Sequence, residues 1–389
     1  MRRVCARRSG RNRAAFAAVE GVHPQAARLR SHPSPERALG EYLLRTSGWA
    51  LGSGAAPCEA DGVTTSPTGN QVSRRLLHGP RDPGDAWVYS ETGQRYWGRF
   101  GAAGLVAVDP QRGILLQHRA EWSHHGGTWG IPGGALHEGE SPAVGALREA
   151  AEEAGVPCGS VSPLFTSVLE LGFWRYTTLV ARVVEPFEPV IADAESLELR
   201  WVPIDEVDKL PLHHGFAASW PALRAALEVR AAVVVDAANV VGSVPDGWWR
   251  DRAGAAERLL SKVEAFARAG AALPVASGST PVASGISAED LGLGGTSWFP
   301  EFAVVVEGAA REIRGPSDDE AQHAQVRVVR ASASGDDAIV DEARRRVDGG
   351  ETVTVATSDR ELGERVAAVG ATVKGVGWLR ELIGYGARR

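Results

Sequence analysis

Between Gly134 and Val156 the chain reads GALHEGESPAVGALREAAEEAGV, and seven of these residues carry chemistry by type and spacing: Gly134, Glu140, Arg148, Glu149, Glu152, Glu153 and Gly155. Glu149, Glu152 and Glu153 stand at i, i+3 and i+4, the interval that puts side chains on one face of a helix. Three carboxylates so close repel one another unless a cation neutralises them, and Mg²⁺ or Mn²⁺ prefers such an oxygen donor set. A divalent ion held there lowers the pKa of water and neutralises charge on phosphate oxygens. The competing reading is a solvated acidic helix face. The glycine-containing loop before it, the spaced Arg148 and the helix caps weigh against that.

The helix that must carry these acids is well punctuated. Ser141 is a good N-cap and Pro142 suits the first turn. Gly155 suits the position after the last turn, and Pro157 blocks continuation. The expected helix runs from 142 to 154, with Val144, Leu147, Ala151 and Ala154 at helical spacing on its core side.

The full pattern is Gly, five residues, Glu, seven residues, Arg-Glu, an apolar residue, any residue, Glu-Glu, any residue, Gly, an apolar residue. Ala150 and Val156 fill the apolar slots. This resembles the signature box of the Nudix hydrolases, and the likeness extends over residues 84–228. Strands are expected at 104–108 and 113–118 around a turn, at 173–184, and at 198–207 with its turn. TWGIPGG at 128–134 enters the box, and a closing helix is expected at 220–227. The resemblance implies an α/β fold, the Nudix α/β/α sandwich with a mixed sheet.

It also implies roles. Glu152 and Glu153 would be the main ligands of a Mg²⁺ (or Mn²⁺) cofactor, and Glu149 a further ligand or the group that assists an attacking water. The Gly134 carbonyl would complete the coordination, with Arg148 orienting the acids and Glu140 supporting them. The family often adds an acid from a later loop, for which Glu195 and Glu198 are both candidates. The substrate implied is a nucleotide with a diphosphate linkage, cleaved to a nucleoside monophosphate. Trp122, His124, His125 and Trp129 precede the box and are placed either to stack on a base or to pack.

Residues 229–389 start a second pattern. RAAVVVDAANVVG is an apolar strand ending in Asp236 and Asn239, and a long helix follows at about 249–268. Further strands are expected at 302–306, 326–329, 353–357 and 371–373, with helices at 336–347, from 360, and at 378–383. Strands alternating with helices imply a doubly wound parallel sheet, whose sites form at the carboxyl ends of the strands. Asp236, Asp336, Asp337 and Asp359 fall there or on a helix opening nearby. DAAN, GDDAIVDEA and TSDREL resemble motifs of the NYN family of PIN-like ribonuclease domains. That likeness implies metal held by these aspartates, contact with substrate from Asn239, and RNA as a partner. Helix and turn capping is the competing use of the same aspartates. PVASGSTPVASG repeats a pentapeptide and marks a flexible insertion over 271–298.

Residues 1–83 are rich in Arg, Ser, Pro and Gly and read as disordered. Met1 is the sole methionine, so a true start further along, for example at Val72, is one expectation, and a basic arm touching nucleic acid is the other. With 42 Lys and Arg against 48 Asp and Glu, the net charge of -6 supplies no bulk attraction to nucleic acid. Cys5, Cys58 and Cys158 are odd in number and scattered, which fits a reducing cytoplasm. No apolar run has membrane-spanning length. The expected function is a metal-dependent hydrolase; the alternative is a nucleotide sensor that controls the second domain. Oligomeric state is open.

Overall fold

The computed structural model describes residues 82–269, 285–314 and 325–386. Most of the segment expected to be disordered, and the first part of the expected insertion, lie outside these residues.

The first sheet gathers nine strands, four of them shorter than four residues. Its backbone is β3 (Ala102–Asp109) and β4 (Gly113–Arg119), with β5 (Trp129–Gly130), β6 (Gly133–Ala135), β7 (Val161–Glu170), β8 (Arg175–Val183) and β9 (Ser196–Val202) around them. β3 pairs in parallel with β8, while the β4, β6, β7 and β9 pairings are antiparallel, so the sheet is mixed. A separate hairpin, β1 (Trp87–Tyr89) and β2 (Arg95–Trp97), precedes it.

Alternation along β3 divides the core between two faces. Ala103, Leu105 and Ala107 pack with Ala146, Leu147, Ala150 and Ala154 of helix α1 (Pro142–Ala154). Val106, with Ile114 and Leu116 of β4, packs with Phe216, Trp220 and Leu223 of α2 (His214–Leu227) on the other side. Two helices thus sandwich one sheet. α1 has the expected bounds: the Ser141 side chain accepts from Val144 N, and Gly155 closes the helix at φ 64. That left-handed conformation is open to glycine at little steric cost. α2 begins earlier than expected and carries Pro221 within it.

The second sheet is parallel, ordered β14 (Val326–Arg330), β13 (Glu301–Val306), β10 (Ala231–Asp236), β15 (Thr352–Ala356), β16 (Thr372–Lys374). Val234, Ala303, Val305 and Val355 face α6 (Gly335–Asp348) and α7 (Arg360–Ala368). Val233, Val235, Phe302 and Val304 face α3 (Ala237–Gly242), α4 (Arg252–Ala269) and α8 (Val376–Ile383). Helices on both faces make this the expected doubly wound arrangement.

The expected flexible insertion needs correction over its described end. Residues 286–298 form β11 (Ile286–Ser287), α5 (Ala288–Leu291) and β12 (Ser297–Trp298), and β12 pairs antiparallel with Thr166 and Phe165 of β7. The first sheet is therefore completed by residues that follow β10 in the chain. Trp298 is 2% exposed, its ring lies 4.8 Å from Phe165, and its indole N–H donates to Gly294 O. Burial of that ring, rather than any alternating pattern, fixes the segment.

An ion chain also crosses between the sheets. Arg182 of β8 pairs with Glu301, Glu301 with Arg346, and Arg346 with Glu342. Glu342 also meets Arg327 and Arg345. Burial pushes the Glu342 carboxyl upward, but the arginines outweigh it and bring it to about 2.

Two predictions follow from this packing. Trp298→Ala should cost about 3–5 kcal/mol and speed amide exchange at Thr296 and Phe299, which donate to Thr166 O and Leu164 O; unchanged exchange there would separate β12 from the stability of the first sheet. Glu342 is held below the ordinary value of 4.5, so its stabilisation is full above pH 4.5 and is lost as pH falls through 2. Glu342→Gln should therefore lower the melting temperature at pH 7 and converge on the wild type in strong acid.

Candidate functional site

Arg148 sits at the centre of the first site. Its guanidinium donates to Glu140 Oε1 and Oε2 at 2.9 and 3.0 Å, to Glu149 Oε1 at 2.8 Å, to Glu152 Oε2 at 3.0 Å and to Ala135 O at 3.0 Å. Glu140 also accepts from His137 N, so the loop before α1 and the helix are tied through one side chain. Burial alone would lower the guanidinium pKa, but the bonds to Glu140 and Glu149 hold it raised.

The three helix acids share one side of α1 by their spacing but are not equivalent in exposure. The Glu152 side chain is 59% exposed and meets Arg148 from outside. Glu149 and Glu153 turn inward. A Cβ on Gly134 would stand 2.6 Å from the Glu149 carboxyl carbon, so a larger residue here would displace that carboxylate. Glu153 is 8% exposed, accepts from Gly133 N at 2.9 Å, and has Gln117 Nε2 at 3.4 Å. Burial raises Glu149 to about 7, against the pull of Arg148, with Glu152 and Glu140 adding repulsion. Burial raises Glu153 to about 8, and Glu149, Asp193 and Glu195 repel it further.

Glu153, Asp193 and Glu195 place one oxygen each within 4.8 Å of the others. Asp193 has no part in the sequence expectation. Of the two later acids, the structure brings Glu195 to the site and leaves Glu198 away from it. A bulge breaks the β4–β9 register between His118 and Arg119. It turns Ser196 toward Gln117, whose amide donates to Ser196 Oγ at 2.8 Å. Glu198, paired across from His118, then faces the opposite side and lies 3.8 Å from Arg200. The donors fit a hard divalent cation: all are carboxylates, two are buried against their own charge, and the buried Gln117 Oε1 beside them has no hydrogen-bond donor among the described residues.

Of the two uses open to Trp129, stacking on a base or packing, the structure favours packing. Trp129 is 5% exposed, stacked on His118 at 4.7 Å and 7°, with the Arg200 guanidinium 4.4 Å from its ring. It is a packing residue, while Trp122 is 69% exposed. His124 and His125 join His213 and His214 in one cluster, with Arg119 close by. Burial, then the neighbouring imidazoles and Arg119, bring His213 down to about 4.

A second acidic cleft, about 550 Å³, opens at the carboxyl ends of the parallel strands. Asp236, Asn239, Asp336, Ser358 and Asp359 line it. Asp236 accepts from Thr357 Oγ1 at 2.8 Å and from Asn239 N, and Asn239 Oδ1 accepts from Ser358 N. Burial raises the Asp236 pKa, and Asp336 and Glu307 add to it. Asp337 departs from its expected place: it pairs with Arg365 and is exposed. Asp359 caps α7 through Leu362 N while also lining the cleft.

Gly134, the Arg148-held acids of α1 and the helix-sheet-helix sandwich together define a Nudix hydrolase, an enzyme acting on phosphoric anhydrides. The NUDIX domain description matches residues 98–223, and the chain belongs to the Nudix hydrolase family. It is 49% identical over 156 residues to "Putative 8-oxo-dGTP diphosphatase 3" of Mycobacterium tuberculosis, covering 38% of this chain and 71% of that protein. It is 38% identical over 209 residues to the "Nucleoside triphosphate pyrophosphatase/Nudix hydrolase fusion protein" of Bifidobacterium longum, covering 51% of this chain but only 42% of that one. Among solved structures, the Nudix hydrolase RenU of M. smegmatis is 49% identical, with 37% of this chain and 95% of that chain covered and a TM-score of 0.35. Among the described residues no helix is long and apolar enough to cross a membrane.

The raised Glu153 gives a test of the electrostatics. Its folded value of about 8 exceeds the ordinary 4.5, so without a cation its ionisation costs stability as pH rises between those values. In EDTA, Glu153→Gln should melt above the wild type at pH 8, and the gap should close toward pH 4. A Gln variant that melts lower at pH 8 would show that the carboxylate is already compensated.

Proposed function

We propose that the chain is a pyrophosphohydrolase of nucleoside triphosphates, oxidised guanine nucleotides among them, that releases a nucleoside monophosphate and pyrophosphate. The observation that carries this is the convergence of Glu153 of α1 on Asp193 and Glu195 from the loop before β9, with Glu149 one helical turn away and close enough to repel Glu153. Glu149, Glu153 and Glu195 would hold Mg²⁺ or Mn²⁺. Such an ion, when bound, neutralises charge building on the phosphate oxygens and lowers the pKa of water. Arg148 fixes the Glu149 carboxylate by a charge-assisted bond, so the acid meets its ligand in one orientation. Attack of water on the phosphorus forms a P–O bond and breaks the anhydride P–O bond; the proton released goes to a carboxylate of the cluster that the ion leaves free. The names of the relatives supply the substrate class, and the site supplies the bond type.

For the second cleft, we propose metal-assisted phosphodiester hydrolysis of RNA on a PIN-like domain over residues 229–389. The observation favouring it is the set Asp236, Asp336 and Asp359, three acids from separate elements that line one open cleft with Asn239.

Both readings meet one experiment. The purified full-length chain is incubated with Mg²⁺ and 8-oxo-dGTP, dGTP, dinucleotides or single-stranded RNA, beside Glu149→Gln/Glu153→Gln and Asp236→Asn/Asp336→Asn variants. We expect monophosphate from a triphosphate, reduced at least about 100-fold in the first variant, and RNA cleavage lost only in the second. Tight nucleotide binding without turnover would replace the enzyme reading with a sensor. Intact RNA in every arm would remove the second activity.

A further inference from the structure

Four imidazoles meet where the loop leading to β5 passes the start of α2. Ring centroids are 4.0 Å apart for His124 and His125, 4.9 Å for His125 and His213, 4.3 Å for His125 and His214, and 4.6 Å for His213 and His214. One nitrogen from each of His124, His125 and His213 lies within 4.8 Å of the other two. The charged groups that act on the rings are Arg119 and Arg95, both cations. The histidine ion pair among the described residues is His137 with Asp82, elsewhere on the molecule. Carboxylate pairing therefore does not explain why these rings gather.

Backbone conformation supplies an independent observation. His125 has φ 58, and it is the sole non-glycine at positive φ among the described residues. A non-glycine residue in the left-handed region is uncommon, though histidine is among the types that tolerate it, and such positions concentrate at functional sites. The His125 ring touches all three of the other imidazoles. The loop is otherwise tied down: Thr128 Oγ1 donates to His125 O, Gly127 N to Arg119 O, and Arg119 Nε to His124 O.

We propose that His124, His125 and His213 form a second metal site, for a nitrogen-preferring divalent transition metal such as Ni²⁺ or Zn²⁺. Imidazole suits those ions, whereas Mg²⁺ and Mn²⁺ prefer the oxygens of Glu149, Glu153 and Glu195. The chain thus presents two donor sets of different hardness, so the two metals need not compete. Ligands about 2.1 Å from zinc stand roughly 3.4 Å from each other, and rotation of the exposed His124 and His125 rings closes the remaining distance. His213 Nδ1 accepts from Gly215 N at 3.2 Å, and ligation through that atom exchanges one capping bond for a metal bond. The His214 ring packs against His125 and His213. Occupation would pin the loop to α2 and hold Arg119, which lies 3.9 Å from Glu195.

The test is calorimetric titration of EDTA-stripped, full-length protein with Ni²⁺ in excess Mg²⁺. We expect one site that His125→Gly weakens at least about tenfold. Glycine suits φ 58, so circular dichroism and the metal-free melting temperature should show the variant folded. Glu149→Gln/Glu153→Gln should keep the site. Absence of Ni²⁺ uptake by the wild type, equal uptake by His125→Gly, or loss only in the glutamine variant would overturn the proposal. None of these outcomes bears on anhydride hydrolysis, which is read separately.

Discussion

One guanidinium organises the first site. Arg148 reaches Glu140, Glu149, Glu152 and Ala135 O from a single planar fork, a set of bonds no lysine could make. Its removal would leave like charges on adjacent turns of α1 and would free the loop that Glu140 anchors. The spacing of Glu140, Arg148 and Glu149 in the chain is thus a statement about reach. A loop acid and a helix acid are bridged by a residue whose side chain is long enough to touch both. Glu153 lies outside this web and leans on Gly133 N and Gln117 instead. That difference leaves Glu153 with uncompensated charge facing Asp193 and Glu195.

What was legible in the sequence follows from what has a period. Helix α1 and its caps could be read because helical spacing and capping are local, while the inward turn of Glu149 and Glu153 could not. The parallel sheet was legible for the same reason, since its buried strands are continuous apolar runs ending in polar residues. Asp193 and the choice of Glu195 over Glu198 were not, because a single bulge in β9 reverses which residues face the site. β7 escaped because Pro163 interrupts it at a second bulge. β11 and β12 are two residues each, too short for any alternation. Trp129 shows a different limit: its type allowed stacking on a base, and only packing reveals that His118 and Arg200 already lie against it. Asp337 is similar, since Arg365, far along the chain, decides its direction.

The two sheets share more than a tether. A single buried cluster runs from Val106 and Trp220 through Trp298 to Val233 and Phe302. Glu301 stands between Arg182 of the first sheet and Arg346 of the second. Gln325 Nε2 donates to Pro163 O, and Arg346 also meets Glu351. Polar groups held in such a chain satisfy one another only when both halves are in register, which favours specificity over raw stability. The acidic clefts remain chemically separate while their scaffolds are joined.

Pairing of β12 with β7 has one more consequence. β7 would otherwise end the first sheet as a long strand with unpaired backbone donors and acceptors, a template for another chain to add to. At Phe165 and Thr166 the pairing moves the boundary outward to β11, only two residues long and followed at once by a helical turn. A sheet that ends on so short a strand offers little for a second molecule to copy. The segment after β10 thereby shortens, at Phe165 and Thr166, the edge on which another strand could add.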